Sequence, residues 1–262
     1  MSDTVSDTVP DTMVVFLTGA SSGIGEALAR QYAAQGATLG LVARRADLLE
    51  SLRQSLPSGA ETYTADVRDL GALQAAAADF LAKHGPPDLV IANAGVSHGT
   101  LTEHAGDIDV FRQIMDINVI GMLNTFHPFV AAMRKAGCGT LAGVASVAGY
   151  RGLPGAGAYS ASKAAAIRYL ESLRVELRGT GVKVATICPG YIATPMTEKN
   201  PYPMPFIITA EDFALRFSQA IGAGRDYAVI PWQMGLVAKL LAVLPNAVFD
   251  AAFSRAGRKP RK

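Results

Sequence analysis

A glycine-rich turn between an apolar run and a helical run constrains this chain more than any other feature. Residues 13–17 (MVVFL) are typical of a short buried strand, TGASSGIG follows at residues 18–25, and EALARQYAAQG then has the composition of a helix. Glycines permit a tight turn and close backbone approach, and free N–H groups at a helix N-terminus attract phosphate. The three residues between Gly19 and Gly23 depart from the G-x-G-x-x-G spacing of many dinucleotide-binding turns. Taken alone, these glycines also fit a turn that merely connects two elements.

The rest of the chain repeats the alternation of strand and helix. Further strands are predicted at residues 38–43, 61–65, 88–92, 139–145, 182–188 and 226–230, with helical stretches between them. This order predicts an α/β fold, doubly wound, with a mainly parallel sheet and helices on both faces. Ligands bind such sheets at the carboxyl ends of the strands, where the glycine turn lies.

The 262 residues, half of them hydrophobic, fit a single domain with a large core. We expect a disordered leader at residues 1–12, a dinucleotide-binding and catalytic part at residues 13–231, and an apolar helical extension with a basic tail at residues 232–262. The leader lacks the cationic start and apolar stretch of a secretory signal.

The charge and the cysteine content exclude several classes of function. A net charge of +2 gives no reason to expect nucleic acid as a partner. With only Cys138 and Cys188 present, a reduced, cytoplasmic protein is more natural than a disulfide scaffold. The histidines have no metal-ligand spacing, so no metal site is predicted.

A hydroxyl, a phenol and an ammonium are predicted to converge on one point. Tyr159 and Lys163 stand four residues apart in a run of helix formers, which places them on one helix face. Ser146 directly follows the strand at residues 139–145, and a glycine-rich loop can bring it beside Tyr159. Such a trio suits a reaction at a carbonyl, because one donor orients the oxygen, a second exchanges its proton and the cation eases that exchange.

These features, in their order, resemble the short-chain dehydrogenase/reductase family in its short, single-domain form. The resemblance rests on TGASSGIG, NAG at residues 93–95, Asn118, Ser146, Tyr159-x-x-x-Lys163 and PG at residues 189–190. It implies a Rossmann-type fold, a nicotinamide cofactor, and interconversion of a ketone and a secondary alcohol.

The resemblance also assigns site residues. The expected catalytic residues are Asn118, Ser146, Tyr159 and Lys163. The expected cofactor-binding residues are Thr18, Gly19, Ser21, Ser22, Gly23, Ile24, Gly25, Arg44, Asp66, Val67, Asn93, Ala94, Gly95, Tyr159, Lys163, Pro189, Gly190, Ile192 and Thr194.

Some of these assignments carry a specific role and some an alternative. Asp66 is expected against the adenine with Val67 beneath it, although Asp66 could also cap the next helix. Asn93 is expected to tie adjacent strands together. Asn118 is expected to shape a helix and hold a water, although a core asparagine bonded to backbone would satisfy its amide equally.

The end of the second strand indicates which cofactor is bound. A carboxylate here would bind the ribose 2′-hydroxyl of NAD, but the strand ends Ala43-Arg44-Arg45. An arginine can instead pair with a 2′-phosphate through its planar fork. We therefore expect NADP(H) to be preferred over NAD(H), with Arg44 as the phosphate ligand and Arg45 as a solvated residue.

The expected reaction transfers hydride to a carbonyl carbon while Tyr159 gives a proton to the oxygen. Lys163 and the oxidised nicotinamide ring are expected to lower the pKa of Tyr159 from about 10, and Lys163 to bond the nicotinamide ribose. The alternatives are an epimerase or dehydratase of the same fold and a non-catalytic NADP(H)-binding sensor or scaffold.

The segments after the catalytic helix suggest a substrate and partners. A proline-rich loop at residues 195–205 is the expected substrate loop, and its apolar character favours a hydrophobic carbonyl compound. By resemblance, helices at residues 107–135 (interrupted at Pro128) and 159–179 pair subunits into a homodimer or homotetramer. Candidates for that face are Ala165, Ala166, Tyr169 and Leu173, which could instead pack on their own sheet.

The extension at residues 232–253 is predicted to form two helices split at Pro245. Leu236, Leu240 and Leu244, with Val237 and Leu241, form one apolar face, for which burial within the protein is favoured. The alternative is peripheral membrane contact through residues 232–262, with the basic tail meeting anionic lipid.

Overall fold

The structure is a computed structural model that describes residues 12–198, 200–254 and 257–261. The predicted leader lies outside the described residues, apart from Thr12.

A parallel sheet of seven strands forms the centre of the described chain, in the order β3-β2-β1-β4-β5-β6-β9. A short two-stranded ladder, β7 with β8, lies apart from it. The strands are β1 (Val14–Thr18), β2 (Thr38–Ala43), β3 (Glu61–Thr64), β4 (Leu89–Ala92), β5 (Thr140–Val144), β6 (Lys183–Pro189), β7 (Ile192–Ala193), β8 (Ile208–Thr209) and β9 (Tyr227–Ile230). The predicted doubly wound α/β fold is confirmed, whereas the β7–β8 ladder was not predicted because two-residue strands leave no periodic pattern.

Helices cover both faces of this sheet. They are α1 (Gly23–Ala34), α2 (Ala46–Ser55), α3 (Leu70–His84), α4 (Asp107–Met115), α5 (Gly121–Ala136), α6 (Gly157–Glu176), α7 (Ala210–Gly222), α8 (Trp232–Val243) and α9 (Asn246–Phe253). Successive strand residues point to opposite faces, so Leu39 and Leu41 pack with α1, α2 and α7, while Val42 packs with α3, α5 and α6. Both faces of the sheet are therefore covered and shielded from water, which accounts for strands that are apolar at nearly every position.

The helix predicted at residues 107–135 is interrupted, but not at Pro128. The α5 helix runs through Pro128, and the break is a π-helical turn at Asp116–Ile120 that contains Asn118. A proline inside a helix removes one hydrogen bond. Here the neighbouring Phe126 and Phe129 are fully buried, and their burial against the sheet offsets that loss.

The N-cap of α3 is not Asp66, although capping this helix was one of the two roles predicted for that residue. Asp69, not Asp66, caps this helix, and its carboxylate accepts from Ala72 N at 3.0 Å. Asp66 is thereby left outside the helix. Thr209 caps α7 as the sequence indicates, accepting from Asp212 N at 3.1 Å.

The C-terminal extension forms two helices that meet at Pro245, but its leucine face is buried only in part, because Val237, Leu241 and Leu244 are half-buried. Met234 and Ala238 pack inward, whereas Leu236 and Leu240 are each 61% exposed. The helix is apolar on most of its circumference, with Gln233 and Lys239 as its polar residues, and it buries only one side. Its small residues permit the closest approach, since a Cβ on Gly235 would lie 3.3 Å from Val229.

The helices of the described residues differ from a membrane span in length or in direction. No single helix there is long and apolar enough to cross a bilayer, although α8 and α9 together have the length and composition of a span and are bent by 119°.

The predicted subunit face on α6 is partly internal. Ala166 and Leu173 pack in their own core, as the alternative interpretation proposed, and Tyr169 packs against the same cluster. Large apolar side chains are instead exposed on the neighbouring segment from α4 to α5, at Ile108, Phe111, Ile120 and Leu123.

Candidate active site

A cleft of about 260 Å³ opens at the carboxyl ends of the central strands. Of the residues predicted from the sequence, those that line it are Gly19, Ser21, Ser22, Gly23, Ile24, Gly25, Arg44, Asp66, Val67, Asn93, Ala94, Gly95, Ser146, Tyr159, Lys163, Pro189, Gly190, Ile192 and Thr194. The structure therefore gathers residues from seven separate segments of the chain into one site.

Thr18 and Asn118 do not line the cleft. Thr18 is fully buried at the end of β1, and its hydroxyl donates to Ile91 O at 3.4 Å. It supports the glycine turn from beneath, and its side chain does not face the cleft. Asn118 lies behind Gly95, as its contacts below describe.

The glycine turn is built by steric necessity. Gly19 and Gly23 have φ values of +72° and +57°, which disfavour a side chain. A Cβ on Gly25 would overlap the carbonyl oxygen of Gly19, and one on Gly19 would lie 2.7 Å from Ala94 Cα. Only glycines permit this fit, which brings the N-terminus of α1 to the cleft and makes it suitable for a phosphate.

Both arginines after β2 reach the cleft. The Arg44 guanidinium lies 3.8 Å from the Asp66 carboxylate. Arg45 is exposed, as expected of a solvated residue, and it also donates to the hydroxyls of Ser21 and Ser22 at 3.0 and 2.7 Å. This contact explains why Ser22 precedes α1 without capping it, and no sequence signal connected Arg45 with the turn.

Asp66 and Val67 form the floor beside these arginines. The Asp66 carboxylate accepts from Arg68 at 2.7 Å, and this bond lowers the pKa of Asp66. Asn124 donates to Val67 O at 2.9 Å, and a Cβ on Gly121 would lie 2.5 Å from the Val67 side chain. The α5 helix thus fixes Val67, a supporting contact that the sequence did not reveal.

Asn93 joins two neighbouring strands. Its amide donates to Thr18 O and Gly19 O at 3.1 and 3.2 Å, which binds the end of β4 to the glycine turn. The expected role of Asn93 is therefore present in the geometry.

Asn118 is held by three hydrogen bonds. Its Oδ1 accepts from Val96 N at 2.8 Å, and its Nδ2 donates to Val96 O at 3.0 Å and to Ser162 Oγ at 2.9 Å. Ser162 Oγ in turn donates to Tyr159 O at 2.7 Å. Asn118 therefore bonds mainly to backbone, as the alternative interpretation proposed, and it connects the π-helical turn to the helix that carries Tyr159.

Lys163 and Tyr159 lie together on α6. The Lys163 ammonium, 4% exposed, donates to Val144 O at 2.8 Å and lies 5.8 Å from the centroid of the Tyr159 ring. A Cβ on Gly95 would lie 3.6 Å from Lys163 Nζ, so the NAG segment forms the adjoining wall. The predicted convergence of the two side chains is present.

Ser146 completes the group from the end of β5. Its hydroxyl accepts from Ala148 N at 3.1 Å, and a hydrogen bond from Ser146 lowers the pKa of Tyr159. Burial acts in the opposite direction and is larger, so the pKa of Tyr159 is raised overall. The expected lowering by Lys163 is not found among the causes of this shift, and burial lowers the pKa of Lys163 itself to about 8.

The segment after β6 closes the other side of the cleft. Thr197 Oγ1 donates to Ile192 O at 2.6 Å and accepts from Thr194 N at 3.1 Å, which folds the chain back on itself. A Cβ on Gly23 would lie 3.3 Å from Thr194, so this loop touches the glycine turn. Pro195, Met196 and Thr197 also line the cleft, and they lie at the start of the loop at residues 195–205 that was expected to hold the substrate.

Other chemistries find no support among the described residues. No group of three or more His, Cys, Asp or Glu side chains could hold a metal there. Cys138 and Cys188 are free thiols, and burial raises the pKa of Cys188 to about 11, which keeps it a neutral thiol.

Comparisons with known proteins agree with this geometry. A family model described as short chain dehydrogenase matches residues 13–203. An uncharacterized oxidoreductase from Myxococcus xanthus is 39% identical over 242 residues, which are 91% of this chain and 95% of the relative. A 3-oxoacyl-acyl-carrier-protein reductase from Thermotoga maritima is 32% identical over 72% of this chain and 77% of its own length. The crystal structure of a short chain dehydrogenase from Burkholderia cenocepacia in complex with NADP superposes with a TM-score of 0.80 and 27% identity, over 92% of this chain and 97% of that one.

The burial of Lys163 predicts that this residue destabilises the fold. Lys163→Met should raise the free energy of unfolding at pH 7 by on the order of 1–3 kcal/mol, because the folded chain holds the Lys163 proton less tightly than the unfolded chain. The gain should shrink as the pH rises from about 8 towards the pKa of 10.5 of an unperturbed lysine. Urea unfolding at pH 7 and at pH 10 measures it.

The exposed Lys239 on α8 provides the matched control. Lys239→Met should leave the stability close to that of the parent at both pH values. A Lys163→Met variant that is no more stable than the parent at pH 7 would contradict the inferred cost.

Proposed function

Because this chain belongs to the short-chain dehydrogenase/reductase family and is an NAD(P)-dependent oxidoreductase of that family, we propose that it interconverts a ketone and a secondary alcohol with NADP(H). The observation that carries this proposal is the juxtaposition of Tyr159, Lys163 and Ser146 at the mouth of a cleft shaped for a dinucleotide. The name of the Thermotoga relative, a reductase of 3-oxoacyl groups, also supports a ketone as the group reduced.

The residues of the cleft fit a nicotinamide dinucleotide. The N-terminus of α1 and the close-packed glycines suit a pyrophosphate, and Asp66 and Val67 suit an adenine. Pro189, Gly190, Ile192 and Thr194 line the opposite end, where the nicotinamide would be held beside Tyr159. When bound, this cofactor supplies or accepts the hydride.

The chain's own residues manage the substrate oxygen and its proton. Ser146 donates a hydrogen bond that holds the oxygen, and Tyr159 gives its phenolic proton to that oxygen in the direction of reduction. A buried phenol with a raised pKa keeps this proton at neutral pH, which suits the role of an acid. Lys163, whose ammonium lies 5.8 Å from the centroid of the Tyr159 ring, would hold the nicotinamide ribose.

Arg44 supports a preference for NADP(H). Its guanidinium is half exposed beside the adenine end of the cleft and only distantly paired with Asp66, so it can turn to a 2′-phosphate. Arg45, joined to Ser21 and Ser22, adds a second positive charge at the same end. The absence of an acid at the end of β2 removes the repulsion that such a phosphate would meet.

We propose that the substrate is a hydrophobic carbonyl compound held by the loop after Thr194. The same-fold epimerase or dehydratase and the non-catalytic sensor remain the alternatives, and they would bind NADPH without consuming it in the presence of any ketone. Membrane contact through residues 232–262 stays a prediction, which the exposed stripe of Trp232, Leu236 and Leu240 favours.

Tyr159→Phe should lower kcat for ketone reduction by at least ~10²–10⁴-fold, because the variant lacks the acid. NADPH binding should be retained. Tyr63→Phe, whose hydroxyl bonds Asp79 outside the cleft, is the control and should keep the parental rate. Stopped-flow absorbance of NADPH measures both variants, and a Tyr159→Phe enzyme with near-parental kcat would remove Tyr159 from the mechanism.

Arg44→Ala should weaken NADPH roughly tenfold to a hundredfold, because a charge-assisted pair to phosphate contributes about 1.5–3 kcal/mol. NADH should lose much less, and Ala43→Asp should shift the preference towards NADH. Fluorescence titration gives both dissociation constants. Equal losses for the two cofactors would mean that Arg44 does not bind the 2′-phosphate.

We also propose a homodimer or homotetramer that buries the apolar side chains exposed between α4 and α5. Leu123→Glu should then shift the protein towards the monomer at micromolar concentration. Leu215→Glu on α7 is the control, because both leucines are 44% exposed. Light scattering that gives a monomer mass for the parent chain would rule out the assembly.

A further inference from the structure

Residues 257–261, which we name the C-terminal strap, lie across two loops of the active site. Gly99, in the loop after β4, donates its N–H to Pro260 O at 2.8 Å and forms a parallel bridge with Arg261. Thr100 N in the same loop donates to Gly155 O, in the loop between Ser146 and Tyr159. The basic tail is therefore packed on the active-site loops over these residues.

An ion pair anchors the strap. Arg261 donates Nε to Asp107 Oδ2 at 2.9 Å and Nη2 to Asp107 Oδ1 at 3.0 Å. The Asp107 side chain is 8% exposed and also accepts from Leu101 N at 2.7 Å. This bidentate ion pair with a largely buried carboxylate holds Arg261 in a defined position.

The loops are shaped to receive the strap. A Cβ on Gly99 would overlap the carbonyl oxygen of Lys259, and one on Gly155 would lie 2.9 Å from Arg258 Cβ. Because both obstructions are fixed by the backbone or close to it, these two glycines permit the strap to approach.

The strap brings Lys259 to the catalytic tyrosine. Its ammonium lies 5.9 Å from the centroid of the Tyr159 ring, almost as near as the 5.8 Å of Lys163. Burial lowers the pKa of Lys259, and no carboxylate of the described residues contributes to that pKa. Asp107, the acid that contacts the strap, is already paired with Arg261.

A partly buried ammonium whose only described partner is an aromatic ring is costly, because its charge loses water without gaining a counter-ion. A ligand that supplied an anion would offset that cost. The substrate is the ligand that must approach Tyr159, since its oxygen accepts the Tyr159 proton.

We infer that Lys259 selects the substrate by binding a carboxylate carried close to the reacting carbonyl. The substrate class is then an oxo acid or hydroxy acid, with any apolar chain against the loop after Thr194. This inference rests on the proposed function only in taking Tyr159 as the place of the substrate oxygen. A single ammonium suits a monoanion such as a carboxylate better than a phosphate, which usually takes several donors.

Calorimetry on the whole chain saturated with NADP⁺, which cannot reduce a ketone, tests the inference. The probes are pyruvate, acetoacetate and levulinate, whose carboxylates lie progressively farther from the ketone, each compared with its methyl ester. At least one acid should bind about tenfold to a hundredfold more tightly than its ester, as a charge-assisted contact provides. Lys259→Met should bring that ratio to about one, while Lys259→Arg should keep most of it.

Two further variants separate the effect of the position of the strap from the effect of removing a positive charge. Gly99→Val should abolish the acid preference by displacing Lys259 without altering any charge, and Lys239→Met, an exposed lysine on α8, should preserve it. The inference is overturned if no acid binds more tightly than its ester, or if the preference survives in Lys259→Met.

The outcome for the proposed function is read separately. Acids that bind preferentially through Lys259 but are never reduced would support the anion site and refute the ketone reductase. Neutral methyl esters that are reduced while the acids show no preference would do the reverse.

Discussion

The site depends on the burial of one ammonium group. Lys163 is almost wholly enclosed and donates to Val144 O, at the end of the strand that also delivers Ser146. Such a charge is expensive to bury, and the surrounding chain is arranged to hold it. Asn118 clamps the neighbouring wall at Val96 and, through Ser162, the carbonyl of Tyr159, so the π-helical turn and α6 cannot move independently. The buried ammonium lowers the stability of the fold but places a positive charge beside a phenol, and such a loss of stability is common at functional sites.

A second constraint is steric and fixes where a dinucleotide can bind. The glycine turn packs so closely on Ala94 and on its own backbone that side chains are excluded, and Asn93 bonds the turn to β4. The N-terminus of α1 and the buried ammonium therefore line one cleft. This arrangement lets the cofactor and the proton donor meet without any large movement of the sheet.

Sequence predicted the parts of this molecule that depend on local pattern. The alternation of strands and helices predicted the parallel sheet, and the glycine turn predicted the cofactor site. The spacing of Tyr159 and Lys163 predicted the catalytic pair, because residues four apart lie on the same face of a helix. Contacts between distant segments were not predictable. Arg45 reaches Ser22 across 23 positions, and Arg261 reaches Asp107 across 154, with no local signal for either. The leucine face of α8 was predicted to be buried because composition does not reveal which side of a mostly apolar helix meets the sheet.

Isotope tracing tests whether the enzyme transfers hydride to a ketone, on which the proposed function depends. The enzyme is incubated with NADPH that carries deuterium at its transferable position, together with a panel of ketones and oxo acids, and the products are examined by mass spectrometry and NMR. We expect an alcohol with one deuterium on the carbinol carbon and a hydroxyl proton drawn from solvent through Tyr159. Tight NADPH binding with no deuterated alcohol from any member of the panel would contradict it.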